Sequence, residues 1–230
     1  MKVAIMQPYL FPYIGYFQLI NAVDIFVVYD DVNYIKKGWI NRNAILVNNS
    51  RFQFTFPILK VSQNAKINEL KLDLDSKNSF LKTIVSAYAK APFFNVVYPL
   101  IEEIFQYKQR QLSDYLVHSL QKICGYLNIN TQFVISSEQN ISKELKASER
   151  IIAICKSLKA ETYYNAIGGQ ELYDATDFQK AQLQLHFLQT NPMHYKQFDA
   201  PFISWLSIID VMMFNDVDEI KKMLNNYTLL

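Results

Sequence analysis

Three stretches at the N-terminus constrain this chain more than any other feature. "KVAIM" (residues 2–6) is a short apolar run. "YIGYFQLINA" (13–22) follows, with Ile14, Phe17, Leu19 and Ile20 at roughly helical spacing. "DIFVVYDDV" (24–32) is rich in β-branched and aromatic residues, as a buried strand should be. Strand, helix and strand within about thirty residues make a βαβ unit, which predicts a parallel sheet.

The period then changes. "WINRNAILV" and "RFQFTFPI" flank "NNS", and Arg51, Gln53 and Thr55 alternate with Phe52, Phe54 and Phe56. That pattern predicts a half-exposed β-hairpin, which "INELKL" is expected to join as a third strand. Helical spacing of apolar residues covers about 77–91, 96–108 and 112–127, punctuated by Pro92 and Pro99. Alternation of strand and helix resumes with "QFVIS", a helix from a Ser148 cap, "ETYYNA", the short helical "IGGQELY" and "LQLHFL". A closing helix is expected from about Ser204 to Leu224, with Ser204 as its cap. The whole reads as one α/β domain over residues 1–230: a Rossmann-like, mainly parallel sheet, a hairpin insertion at 39–75 and a helical layer at 77–127.

Composition narrows the function classes. A net charge of +2 gives no reason to expect nucleic acid or an anionic membrane as partner. No stretch approaches the ~18 apolar residues of a membrane span, and the apolar run before Gln7 is shorter than the ~7–15 of a signal-peptide core. A soluble, cytoplasmic protein is expected, with Cys124 and Cys155 as buried thiols. Three dispersed histidines and two helical cysteines give no metal-ligand spacing, and no cofactor is indicated. Of the histidines, His194 falls in a loop within reach of a pocket. Only 5 glycines occur in 230 residues, against about 16 at average usage. Gly15, Gly38, Gly168 and Gly169 therefore mark places where a side chain is expected not to fit or φ to be positive.

In a parallel sheet, ligands bind outside the carboxyl ends of the strands, and several residue clusters fall there. Gln7, Pro8, Tyr9, Gly15 and Tyr16 follow the first strand and open the first helix, whose free N–H groups favour an anion. Neither a dinucleotide fingerprint nor a P-loop is present. The spacing Tyr13-Ile14-Gly15-Tyr16 is similar to the His-x-Gly-His of nucleotidylyltransferases, with tyrosine in both histidine places. Asp30 and Asp31 end the second strand, either as general base or cation ligands or as turn caps. Lys36, Lys37 and Arg42 offer cationic donors, Asn41 and Asn43 amides, and Trp39 a flat face for a ring. If 39–43 is extended, Trp39, Asn41 and Asn43 share one face and Arg42 takes the other. Asn165, Gly168, Gly169 and Tyr173 form a further cluster after a strand. Ser207 and Asp210 are read either as site residues or as a buried polar pair.

"MKVAIMQPYLFPYIGYFQLI", "YDDVNYIKKGWINRN", "YYNAIGGQELYD" and "ISWLSIIDV" closely resemble the WbqC-like family over essentially the whole chain. That resemblance implies a bacterial protein of surface-polysaccharide biosynthesis acting on nucleotide-linked sugars. It supplies no established catalytic residue to carry over. The function expected is a transferase modifying an activated sugar, by acyl or aminoacyl transfer to an amino sugar, with Asp30, Asp31 and Tyr16 in catalytic roles. The alternatives are a nucleotidylyltransferase and a non-catalytic sugar- or nucleotide-binding protein. In each, the partner is a small molecule.

Overall fold

The structure, a computed structural model, describes residues 1–59, 61, 62, 64–142, 144, 145 and 147–230. In chain order its elements begin β1 (Lys2–Met6), α1 (Ile14–Asn21), β2 (Ile25–Val28), β3 (Arg42–Val47), β4 (Ser50–Thr55), β5 (Ile58–Leu59) and β6 (Lys71–Leu72). Three helices follow, α2 (Lys77–Tyr88), α3 (Phe94–Gln106) and α4 (Leu112–Tyr126). The chain then continues through β7 (Gln132–Ile135), α5 (Ala147–Ser157), β8 (Thr162–Ala166), α6 (Ala175–Lys180) and β9 (Gln184–Thr190). It closes with α7 (Ile208–Phe214), α8 (Val217–Leu224) and β10 (Tyr227–Leu229).

The sheet has six strands in the order β10-β9-β8-β1-β2-β7, all parallel except β10, which runs antiparallel to β9. Strand period sorts its side chains to two faces. Val3, Ile5, Ile25, Val27 and Tyr163 pack with Ile151, Ile154 and Cys155 of α5 and Phe178 of α6. Ala4, Phe26, Val28, Tyr164 and Leu188 join the larger core built with α1, α2, α3, α4, α7 and α8. The α/β class and the mainly parallel sheet are as the sequence pattern requires.

The hairpin forms between β3 and β4, in register from Arg42–Thr55 to Val47–Ser50. Asn48 and Asn49 turn it with φ of 49° and 57°, the left-handed pair that a two-residue hairpin loop needs and asparagine tolerates. Phe54 and Phe56 are buried, whereas Phe52 stays exposed.

Several boundaries differ from the sequence pattern. "INELKL" does not join the hairpin; Ile67–Glu69 is a single 3-10 turn, and β6 pairs with β5 instead. Ser148 lies inside α5 and bonds to Asp177 at 3.3 Å, so it is not a cap. The closing helix is two helices: Ser207, not Ser204, caps α7, and Asn215 is extended before Asp216 caps α8 by accepting from the Glu219 N–H at 2.7 Å. Asp216 followed by Glu219 is a helix-start signature that the apolar periodicity masked. β10, unseen in the pattern, is three residues at the chain end paired to β9.

Asp216→Ala should lower stability by about 1 kcal/mol in urea unfolding, the usual cost of losing an N-cap. An unchanged midpoint would show that α8 does not depend on this cap.

Candidate functional site

Strands β1 and β8 lie side by side at the middle of the sheet. Successive pairings run outward from β1 through β2 to β7 on one side, and from β8 through β9 to β10 on the other. The order therefore reverses between β1 and β8, the place where open α/β sheets keep a crevice at their carboxyl edge.

The loop leaving β1 borders this crevice and is tied down from several directions. Tyr16 of α1 donates its hydroxyl to the Gln7 carbonyl at 2.7 Å. The Leu10 N–H donates to the Ile40 carbonyl at 2.9 Å, and the Ile208 N–H to the Pro12 carbonyl at 2.8 Å. Phe11 has a φ of 45°, in the left-handed region that bulky residues avoid. Its carbonyl accepts from the Asn43 amide at 2.7 Å and from the Ser207 hydroxyl at 2.8 Å. The hairpin strand β3 and the start of α7 thus fix the same peptide.

Two cavities open on the fixed loop. The larger, about 650 Å³, is lined by Tyr13 and Ile14, by Ile167 after β8, by Gln189 and Thr190 at the end of β9, by Asn191 to Tyr195, and by Phe202, Ser204, Trp205, Leu206 and Val211. The smaller, about 300 Å³, is lined by Tyr9, Pro12, Tyr13, Trp39, Asn43, Arg51 and Trp205. Tyr13 and Trp205 line both, their rings 5.8 Å apart and tilted by 54°, so this pair is the partition between them. Burial raises the Tyr13 pKa, an effect that a side-chain hydrogen bond with Thr190 opposes. Both volumes fall in or at the edge of the range of small-molecule sites.

Trp205 is 63% exposed and has a φ of 59°. A large apolar side chain left in solvent on left-handed backbone costs stability, and such residues concentrate at ligand sites. Arg51 of β4 holds the conformation by donating Nη1 to the Trp205 carbonyl at 2.9 Å. The segment before it is anchored by Asp210 of α7. Asp210 is buried and accepts from Tyr88 at 2.8 Å, Tyr195 at 2.6 Å and Gln197 at 2.8 Å. Burial raises its pKa despite these three hydrogen bonds, which act the other way. Gln197 also exchanges two hydrogen bonds with the backbone of Ile203, closing the loop that carries Tyr195 to Trp205.

Of the residues singled out from sequence, Tyr9, Trp39 and Asn43 line the smaller cavity. Arg42 sits under Trp39, its guanidinium carbon 5.3 Å from the ring centroid. The others have different duties. Tyr16 is buried, with its hydroxyl spent on Gln7 and its pKa raised well above 10 by burial, so the second tyrosine of Tyr-Ile-Gly-Tyr does not face the cavities. Asp30 is buried and accepts from Ser113, the Ser137 N–H and the Ser137 hydroxyl at 2.8–3.0 Å. Asp31 accepts from Ser136 at 2.8 Å and pairs with buried Arg150. These carboxylates brace α4 and α5 against the exit of β7 and line neither cavity. Asn41 is buried between the Tyr34 hydroxyl and the Phe56 carbonyl. Pro8 is buried, Lys36 and Lys37 are exposed, and Gln7, Lys36 and Lys37 line neither cavity.

The glycines are also reassigned. None has a positive φ. A Cβ on Gly15 would collide with the Tyr13 ring and the Thr190 hydroxyl, and one on Gly169 with the Asn165 amide. Close approach is real, but the approaching groups belong to the chain itself. Gly168 faces open space. Asn165 accepts from the Ala166 N–H, and Tyr173 packs edge-on against Tyr163 and Phe178. Cys124 and Cys155 are buried and free, their thiols pushed up to about 12 by burial, so neither serves as a thiolate at neutral pH. His194 does line the larger cavity, 4.2 Å from the Phe202 ring by centroids. Thr190, Tyr195, Arg51 and Trp205 were not picked out as ligand contacts, and Tyr13 was marked only as the first tyrosine of Tyr-Ile-Gly-Tyr. The pattern "ISW" between Pro201 and a helix start was the available signal, a tryptophan at a loop-to-helix junction.

Gly15→Ala should destabilise by about 1–3 kcal/mol, as expected for overpacking, and weaken any ligand of the larger cavity by displacing Tyr13. Unaltered thermal unfolding would remove the packing explanation for this glycine. For Asp210 the raised pKa sets the sign: its contribution is greatest below the ordinary carboxylate value and is lost as pH rises through the raised folded-state value. The stability deficit of Asp210→Asn should therefore narrow as pH climbs from about 4 toward 7 in paired denaturation curves. A deficit that widens would contradict the assignment.

Residues 7–222 match the WbqC-like protein family. An uncharacterised protein of Mycobacterium tuberculosis is 29% identical over 218 residues, covering 93% of each chain. No solved structure matches the chain. With the family match spanning nearly the full length, and with its motif-bearing segments meeting at the β1 loop, the chain belongs to the WbqC-like protein family.

Proposed function

We propose that the protein binds a nucleotide-linked sugar across the two cavities and acts on it as a transferase, adding an acyl or aminoacyl group to an amino sugar in the bacterial cytoplasm during surface-polysaccharide synthesis. The observation that carries this reading is the divided cleft: two lobes at the carboxyl edge of a parallel sheet, sharing one aromatic wall. A bipartite ligand suits a bipartite cleft. Gln189, Thr190, His194 and Ser204 supply polar contacts along the larger lobe, and Arg51 a cation beside the smaller.

His194 replaces Asp30 and Asp31 as general base in this reading, because the two aspartates are engaged in the interior. Imidazole is the side chain best suited to proton transfer near neutral pH. The sugar amine attacks the carbonyl carbon of an activated acyl donor, the bond from that carbon to the donor's leaving group breaks, and His194 takes the proton the nitrogen loses. Among the described residues no cluster of His, Cys, Asp or Glu is placed to hold a metal. No helix among them is long and apolar enough to cross a membrane.

A nucleotide sugar should raise the melting temperature of the protein. His194→Ala should keep that shift while cutting acyl transfer to the amino sugar by about a hundredfold, the usual scale for a lost general base. Absence of a shift with every nucleotide sugar tried would sink the proposal. The second reading, a non-catalytic binding protein, is favoured by the lack of a carboxylate or thiol among the described residues that line the cavities. A retained shift with no turnover by the parent protein, or with His194→Ala neutral for pathway output in cells, would support it.

A further inference from the structure

We infer that the smaller lobe is the nucleobase end of the site and that it accepts bases with little discrimination among them. This rests on the nucleotide-linked ligand proposed above and assigns its two ends. Four of the seven lining residues are aromatic, Tyr9, Tyr13, Trp39 and Trp205, and they include both tryptophans of the chain. A cavity of about 300 Å³ has room for one ring system rather than an extended ligand.

The balance of this lobe, four aromatic rings against few unspent polar groups, suits a flat π-system better than a sugar. A sugar ring is recognised through its hydroxyls, which need free donors and acceptors. Asn43 lines the lobe, yet its amide nitrogen is given to the Phe11 carbonyl and its oxygen to the Ala44 N–H. Apart from the tyrosine hydroxyls, the indole N–H groups and the second amide N–H and lone pair of Asn43, the lobe offers aromatic surface and Arg51. Stacking on aromatic side chains tolerates every base, because each has a π-face. Arg51 uses one nitrogen on the Trp205 carbonyl and keeps further N–H groups for a phosphate oxygen. The larger lobe, with Gln189, His194 and Ser204 on its wall, is left for the sugar. Tyr13 and Trp205, common to both, stand where the phosphate link passes between the lobes.

The two tryptophans make the test direct. Uridine and adenosine 5′-monophosphates should each quench intrinsic fluorescence saturably, with dissociation constants within a few-fold of each other. Trp39→Ala, at a half-exposed position that should leave the melting temperature nearly unchanged, should weaken both by about tenfold to a hundredfold, the range for a lost base–aromatic stack. Lys82→Ala, exposed on α2 and outside both cavities, should leave both as in the parent. Two outcomes overturn the assignment while the broader reading stands: a nucleotide sugar shifts the melting temperature but neither monophosphate quenches, or glucose 1-phosphate quenches as well as the nucleotides. Strong preference for one base would also overturn it. No response to monophosphates, to glucose 1-phosphate or to nucleotide sugars would remove both readings together.

Discussion

Phe11 keeps a buried aromatic side chain on left-handed backbone, and its carbonyl oxygen receives the Asn43 amide and the Ser207 hydroxyl. Such a conformation costs on the order of 1–3 kcal/mol and persists only where neighbours over-determine it. Two buried hydrogen bonds, each worth roughly 1 kcal/mol net, are of the size needed to offset that cost. The consequence reaches beyond one peptide. A strand-to-helix loop, a hairpin strand and a helix N-terminus, separated by 32 and 196 positions in sequence, are locked at one oxygen. Tyr9, Pro12 and Tyr13 are then presented to the cleft in fixed positions, so that a ligand need not order them on binding.

The opposite wall is held by the same logic with different chemistry. Asp210 gathers Tyr88, Tyr195 and Gln197, and Tyr88 also accepts from the Leu46 N–H at 2.8 Å. The loop bearing His194 and Trp205 is thereby tied to α2 and β3. Ser207 belongs to both systems: its hydroxyl bonds the Phe11 carbonyl while accepting from the Ile209 N–H at the start of α7. The two walls of the cleft share one six-residue stretch of chain, Trp205 to Asp210, with Arg51 fastening its outer end. Polar residues far from solvent here serve geometry, which is why Asn43, Ser207 and Asp210 matter although none need touch the reacting atoms.

Much of the sheet was legible because its signals are local. β-branched runs, a βαβ spacing and strict alternation at Phe52, Phe54 and Phe56 depend on neighbours in sequence. The misread elements depend on distant partners. "INELKL" carries a strand-like pattern but pairs over two residues with β5, and the final strand exists only because β9 offers a free edge. Of the residues the sequence singled out, Tyr9, Trp39, Asn43 and His194 line the two cavities, while most of the others have structural duties. Rare glycines pointed correctly to crowding at Gly15 and Gly169, yet composition cannot say whether a ligand or the protein's own Tyr13 and Asn165 does the crowding. Asp30 and Asp31, at the end of a strand, read equally as a general base, cation ligands or turn caps. Their partners Ser113, Ser136, Ser137 and Arg150 lie more than eighty residues away and turned them inward.

The proposed ligand lies in the divided cleft, against the Tyr13–Trp205 pair. A crystal structure with the nucleotide sugar that gives the largest thermal shift tests it most directly. Density is expected on both sides of that pair, with the base between Trp39 and Trp205 and the sugar near His194. Density at the Asp30–Asp31–Arg150 cluster, with the cleft left to solvent, would contradict it.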